Sequence, residues 1–135
     1  MIWDAKVESG TQVARSILVV DDDSAVLKLF GKILQRGGFS VRLTASSQEA
    51  GMMLREAPFD LLVLALSMPE AENFDGFDLL KELRVSMPGL PIVVVSGYLQ
   101  GTLLKAAELL GAKASLSKTE APTMLLQTVR AILRS

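Results

Sequence analysis

The sequence predicts an α/β protein with a doubly wound, five-stranded parallel sheet and five helices. Two observations support this fold class. Short, largely β-branched runs alternate with longer amphipathic segments along most of the chain. In addition, three of the runs are apolar almost throughout, as expected for strands that helices cover on both faces. The 135 residues are enough for one domain of this kind.

The predicted strands are five short segments bounded by turn-forming residues. They cover residues 16–20 (SILVV), 40–44 (SVRLT), 61–66 (LLVLAL), 91–96 (PIVVVS) and 114–117 (ASLS). Parallel neighbours in such a sheet require crossover connections, and these are almost always right-handed. We therefore expect a helix after each strand, with helices on both faces of the sheet.

The predicted helices carry apolar stripes at helical spacing. The first stripe consists of Val26, Leu29, Phe30, Ile33 and Leu34, and the later ones begin at Ala50, Leu80, Leu103 and Leu125. Start and stop residues agree with this division. Ser46-x-x-Glu49 has the spacing of a capping box, Gly37-Gly38 is expected to end the first helix, and Gly111 the fourth.

Composition excludes several classes of function. The chain has no Cys and no His, so it has no disulfide, thiolate metal site or imidazole base. The formal charge is −1, and the basic residues are scattered, so no direct nucleic-acid surface is expected. The apolar runs are too short to span a membrane. We expect a cytoplasmic domain over residues 16–135, preceded by a flexible tail at 1–15, and no enzymatic activity.

Polar residues follow several predicted strands at the edge where α/β sheets bind ligands. Asp21, Asp22 and Asp23 follow the first strand, Ser96 ends the fourth, and Lys118 follows the fifth. An acidic cluster suits a hard cation such as Mg²⁺, and Lys and Ser side chains suit phosphate oxygens. In the alternative interpretation, Asp23 and Ser24 only cap the first helix while Asp21 and Asp22 are solvated turn residues.

Taken together, these segments resemble the receiver domain of bacterial two-component response regulators. The resemblance runs from about residue 16 to 134 and rests on ILVVDDD (17–23), FDLLVLALSMP (59–69), DGFDLL (75–80), PIVVVSG (91–97), GAKASLSK (111–118) and LLQTV (125–129). It implies the flavodoxin-like receiver fold and a role in phosphorelay signal transduction.

The resemblance also assigns roles to individual residues. It implies that Asp21 and Asp22 bind Mg²⁺ with the backbone carbonyl of Ser67. It further implies that Ser96 and Lys118 contact the phosphoryl group.

Residue 65 is the main departure from the family pattern. The family has its nucleophilic aspartate at this position, but this chain has Ala65, whose methyl group can neither attack phosphorus nor bind a metal. Any Mg²⁺ site should therefore be weakened. Two further departures are Ser115, where an aromatic switch residue is common, and Thr119, where proline usually follows the lysine.

Three functions remain open from the sequence. The first is an atypical receiver that acts through protein contacts, with a sensor histidine kinase or another signalling protein as partner. Residues 99–134 form the face through which the resemblance implies homodimers. The second is a phosphoryl-accepting receiver inactivated by an engineered Asp-to-Ala change at 65. The third is a flavodoxin-like nucleotide or flavin binder, which the lack of a Gly-rich phosphate loop disfavours.

Overall fold

The computed structural model describes residues 14–66, 75–97 and 101–134. Strands and helices alternate along the chain. In chain order they are β1 (Ser16–Val20), α1 (Ser24–Arg36), β2 (Ser40–Thr44), α2 (Ser47–Glu56), β3 (Leu61–Leu66), α3 (Asp75–Ser86), β4 (Ile92–Ser96), α4 (Gly101–Leu109), β5 (Ala114–Ser117) and α5 (Ala121–Leu133).

The five strands form one parallel sheet in the order β2-β1-β3-β4-β5. The predicted fold class is confirmed. The strand bounds match the sequence prediction except at β4, which begins at Ile92 instead of residue 91. The residue before it, Pro91, has no backbone N–H, although its carbonyl accepts a hydrogen bond from Leu62.

Burial of the strands follows their place in the sheet. Residues of the interior strand β4 are all buried, whereas β2 at one edge is mostly exposed. This explains the composition seen in the sequence, because a strand with helices on both faces must be apolar on both. The edge strands β2 and β5 contain the polar residues that a half-exposed position permits.

Two apolar layers hold the helices against the sheet. Side chains from α2, α3 and α4 pack on one face around Leu62, Leu64 and Val94. Side chains from α1 and α5 pack on the other face around Val63, Val93 and Leu125. Alternate residues of each central strand therefore belong to opposite layers, which fixes the register of the sheet.

The predicted stripe of the first helix was partly wrong. Leu27, Phe30 and Leu34 are buried in α1, whereas Leu29 is 45% exposed. The buried residues follow an i, i+3, i+7 spacing, which defines one face of the helix, and Leu29 lies away from it. In the later helices, the buried positions include Ala50, Leu80 and the predicted α5 residue Leu125, as expected.

The helix boundaries follow the predicted stop and start residues. Glycines at positive φ end two helices, with φ of 97° at Gly38 after α1 and 110° at Gly111 after α4. At the start of α2, Ser46 Oγ accepts the Glu49 N–H at 3.0 Å. The reverse half of the capping box is indirect, because the Ser46 N–H donates to the Thr44 hydroxyl, which in turn donates to Glu49.

No helix in the described part of the chain is long and apolar enough to cross a membrane.

Candidate functional site at the carboxyl ends of the strands

Strand register brings the predicted polar residues to one edge of the sheet. Val20 pairs with Leu64, so the residues that follow them in the sequence, Asp21 and Ala65, are neighbours. Ser96 pairs with Ser117, so Lys118 lies one residue beyond that pair. The parallel arrangement thus gathers residues separated by up to 97 positions in sequence.

The three consecutive aspartates occupy three different environments. Asp21 is buried, with 3% of its surface exposed, whereas Asp22 and Asp23 are exposed. Asp23 is the N-cap of α1, and its Oδ1 accepts the N–H groups of Ala25 and Val26 at 2.9 and 3.3 Å. The capping role considered for Asp23 is confirmed, but the interpretation of Asp21 as a solvated turn residue is wrong.

Asp21 and Lys118 form an ion pair between the ends of β1 and β5. Lys118 Nζ lies 3.0 Å from Asp21 Oδ2 and donates a long hydrogen bond of 3.5 Å to Oδ1. Oδ1 also accepts the Asp23 N–H at 2.9 Å. Oδ2 is fully buried, and among the described residues it has this charge contact but no aligned hydrogen-bond donor.

The environment of Asp21 favours its neutral form more than water does. Burial raises the pKa of the Asp21 carboxyl above its ordinary value, and this desolvation is the largest influence. The Asp23 N–H and then Lys118 act in the opposite direction and lower the pKa. The negative charge of Asp22 adds a smaller upward contribution to the pKa.

Ser96 and Lys118 are joined through the backbone. Ser96 is completely buried, and its carbonyl accepts the Lys118 N–H at 2.8 Å. A Cβ atom at Gly97 would lie 3.5 Å from Lys118 Cδ, so the lysine stem runs alongside this glycine. The side chain of Lys118 therefore passes over the end of β4 to reach Asp21.

A reciprocal hydrogen-bond pair holds the loop that carries Lys118. Ser117 Oγ accepts the Glu120 N–H at 3.2 Å, and Glu120 Oε2 accepts the Ser117 N–H at 3.0 Å. Sequence reasoning missed this contact, although Ser117-x-x-Glu120 before Pro122 has capping-box spacing. It fixes the turn at Lys118 in a chain that has Thr119 in place of proline.

Ala65 lies on β3, which stands between β1 and β4 in the sheet. It is partly exposed, whereas the four preceding residues of β3 are buried. In the sheet it pairs with Val95, beside Ser96. Because Ala65 has no carboxylate, it offers Lys118 no ion pair. Among the described residues, Lys118 contacts the carboxylate of Asp21.

A divalent cation finds few ligands among the described residues. They contain no group of three or more acidic side chains, histidines or cysteines able to hold a metal. Asp21 already faces an ammonium group, and Asp22 is exposed. The described residues therefore fit Mg²⁺ poorly. Ser67, whose carbonyl was predicted to complete the site, lies outside the described residues.

The predicted partner face, residues 99–134, is described from residue 101 onward and without the side chains of 101–104. Ser115 Oγ on β5 donates to Glu108 Oε2 on α4 at 2.6 Å. Position 115 thus links two elements of this face through a small polar contact. Arg130 on α5 donates to the Gly37 carbonyl at 3.3 Å.

Comparisons with known proteins agree with this architecture. The chain is 37% identical over 93 residues to the DNA-binding transcriptional regulator NtrC of Bradyrhizobium sp. (strain RP501 Parasponia), covering 69% of this chain and 18% of that protein. It is 33% identical over 92 residues to the alginate biosynthesis transcriptional regulatory protein AlgB of Pseudomonas syringae pv. tomato, covering 68% and 20%. The chain thus spans about a fifth of the length of these relatives.

Solved structures share the fold over nearly the whole chain. A CheY-like response regulator receiver domain protein from Methanospirillum hungatei JF-1 aligns with a TM-score of 0.80 and 26% identity, over 90% of this chain and 95% of that one. A response regulator from Thermotoga maritima aligns with a TM-score of 0.78 and 25% identity, over 91% and 100%. The family model of the response regulator receiver domain matches residues 17–130, and this chain belongs to that family.

Proposed function

We propose that this receiver domain works in a two-component phosphorelay system as a protein-interaction module that is not phosphorylated at residue 65. The observation that carries the proposal is the identity and position of Ala65. It ends the buried part of β3 next to Asp21, where the family resemblance expects the phosphoryl-accepting aspartate. Because a methyl group has no lone pair, it cannot form an acyl phosphate.

The partners we propose are a sensor histidine kinase or another signalling protein, together with a second copy of the chain through residues 99–134. We propose no direct contact with nucleic acid or membrane, and no enzymatic activity. The names of the relatives describe transcriptional regulators, but this chain matches only about a fifth of their length. Within such a system, this chain would supply the receiver domain.

A second candidate is a phosphoryl-accepting receiver in which an aspartate at 65 has been replaced. The grouping of Asp21, Ser96 and Lys118 at one edge favours it, since these residues would serve phosphoryl transfer. In both candidates, any Mg²⁺ would be held by Asp21, Asp22 and the Ser67 carbonyl. It would supply positive charge near the phosphoryl oxygens of a chain that has an aspartate at residue 65. Binding would be weak because residue 65 contributes no carboxylate.

Intact mass spectrometry after incubation with Mg²⁺ and a small phosphodonor tests the proposal. We expect no mass gain for the wild-type chain and the gain of one phosphoryl group for Ala65→Asp. Ala65→Asn is the matched control, because it has the size of aspartate without its nucleophilic oxygen. Stoichiometric labelling of the wild-type chain would contradict the proposal, whereas failure of Ala65→Asp would contradict the second candidate.

A further inference from the structure

We infer that the Lys118 ammonium is the cation that neutralises Asp21 in the pocket formed by Asp21, Ala65, Ser96 and Lys118, called the Asp21 pocket below. Lys118 keeps this pocket in one charge-balanced state by competing with Mg²⁺ for Asp21. The inference deepens the proposed function, because it concerns how the same pocket is regulated. It rests on the contacts of Asp21 and Lys118 in a chain with alanine at residue 65, and it holds for both candidate functions.

Asp21 requires a positive partner because of its burial. Its side chain is 1% exposed, and both of its oxygens lie in a region from which water is largely excluded. A buried carboxylate is strongly destabilising unless a cation or several hydrogen-bond donors compensate its charge. Oδ1 accepts the Asp23 N–H, whereas within the described part of the chain the partner of Oδ2 is the Lys118 ammonium, 3.0 Å away.

Lys118 is held in place from both ends. At the backbone, its N–H donates to the Ser96 carbonyl at 2.8 Å, and the Ser117 to Glu120 hydrogen bonds fix the turn. Along the stem, it packs beside Gly97. At the tip, the ammonium contacts both Asp21 oxygens while the side chain keeps 30% of its exposure. Little conformational freedom remains to be lost when the ion pair forms.

The alanine at 65 makes this pairing exclusive. An aspartate there would offer Lys118 a second carboxylate beside Asp21, and the two acids together would carry an excess of negative charge that a divalent cation neutralises. With a methyl group, one buried carboxylate and one ammonium balance each other. Among the described residues, Asp21 is the carboxylate within ion-pair distance of Lys118.

A divalent cation therefore meets a competitor at this pocket. To bind Asp21 Oδ2, Mg²⁺ must displace an ammonium group whose backbone remains anchored nearby, and like charges at such separations repel. The wild-type pocket should remain in its ion-paired state at millimolar Mg²⁺. The receiver would then present one constant surface to its partners, independent of Mg²⁺.

Titration of Mg²⁺, followed by backbone amide NMR of residues 21–24, tests the inference on the full chain. Lys118→Met removes the ammonium but keeps the length and apolar character of the stem. Lys113→Met is the matched control, since Lys113 is an exposed lysine at the opposite end of β5. We expect at least roughly tenfold tighter Mg²⁺ binding for Lys118→Met than for the wild type, and no change for Lys113→Met.

Equal or weaker Mg²⁺ binding by Lys118→Met than by Lys113→Met would overturn the inference. The double variant Asp21→Asn with Lys118→Met must lose the gain, because the competition concerns Asp21; a gain that persists in it also overturns the inference. If Lys118→Met unfolds in the absence of metal, thermal unfolding with and without Mg²⁺ provides the comparison, and its Tm should then rise more than that of the wild type.

This readout does not involve phosphodonor. Labelling of the wild-type chain would contradict the proposed function without changing the Mg²⁺ titration, so the two ideas can fail separately.

Discussion

The carboxyl ends of β1 and β3 lie side by side in the sheet, but they differ in charge and in contacts. At the end of β1, Asp21 is buried and bound to Lys118 and to the Asp23 N–H. At the end of β3, Ala65 is a partly exposed methyl group with no polar atom in its side chain. Among the residues that the structure describes, Lys118 after β5 compensates the charge of Asp21 after β1, and Ala65 on β3 carries no charged group.

This difference separates two positions whose side chains connect distant strands from a position whose side chain has no polar atom. Asp21 and Lys118 connect two strands that are not adjacent, because β3 and β4 lie between them in the sheet. Loss of Lys118 would leave the buried charge of Asp21 without its cationic partner. A side chain at 65 is needed for no such contact. The Asp21–Lys118 pair therefore does not depend on the side chain of residue 65.

The largest loss of stability is expected for Lys118→Met. It leaves the Asp21 carboxylate buried without a cation, which should lower the free energy of unfolding at pH 7 by about 2 kcal/mol. Urea denaturation monitored by circular dichroism measures it. Lys113→Met, at an exposed lysine, should change stability little. If both lysine variants lose the same amount, the ion pair does not stabilise the domain.

A smaller effect is expected for Asp21→Asn. This change removes the buried charge, retains an oxygen that can accept the Asp23 N–H, and leaves Lys118 with 30% exposure through which water can solvate it. We expect a loss of about 1 kcal/mol or less in the free energy of unfolding. Asp22→Asn, at the exposed neighbour, is the control. If Asp21→Asn loses more stability than Lys118→Met, then the unpaired Lys118 ammonium destabilises the domain more than the unpaired Asp21 carboxylate does.

The smallest expected effect concerns the pKa of Asp21. Burial raises its folded-state pKa above the unfolded value, so the stability that this group contributes is fully present below the unfolded pKa. That contribution is lost as pH rises through the folded pKa. Lys118→Met removes a contact that lowers the pKa, and should raise the pKa further.

Carbonyl ¹³C NMR titration of Asp21 measures this change. Asp22→Asn should move the pKa of Asp21 slightly downward instead, because the charge of Asp22 raises it. Shifts of the same sign in both variants would contradict the assignment of these causes.

The site was predictable from sequence in its composition but not in its contacts. Asp21, Ser96 and Lys118 were expected at one edge, because parallel strands end together. The three aspartates divide into a buried ion partner, an exposed residue and a helix cap. This division was not predictable, because three identical residues in a row do not show which side chain is buried and which is exposed. The Ser117 to Glu120 contact had a signal in the sequence, the capping-box spacing of these two residues, but it was not among the predictions.

The fold class and most strand bounds can be predicted from sequence alone, which also shows the alanine at residue 65. Periodicity and apolar runs are local properties, and a fully buried strand such as β4 cannot be built from polar residues. The pairing of Lys118 with Asp21, in contrast, follows from the three-dimensional arrangement of the strands. An ion pair across 97 positions depends on strand order and register, which bring the two chain segments within 3.0 Å. Burial of Asp21 then makes that contact necessary, because a charge withdrawn from water requires a partner.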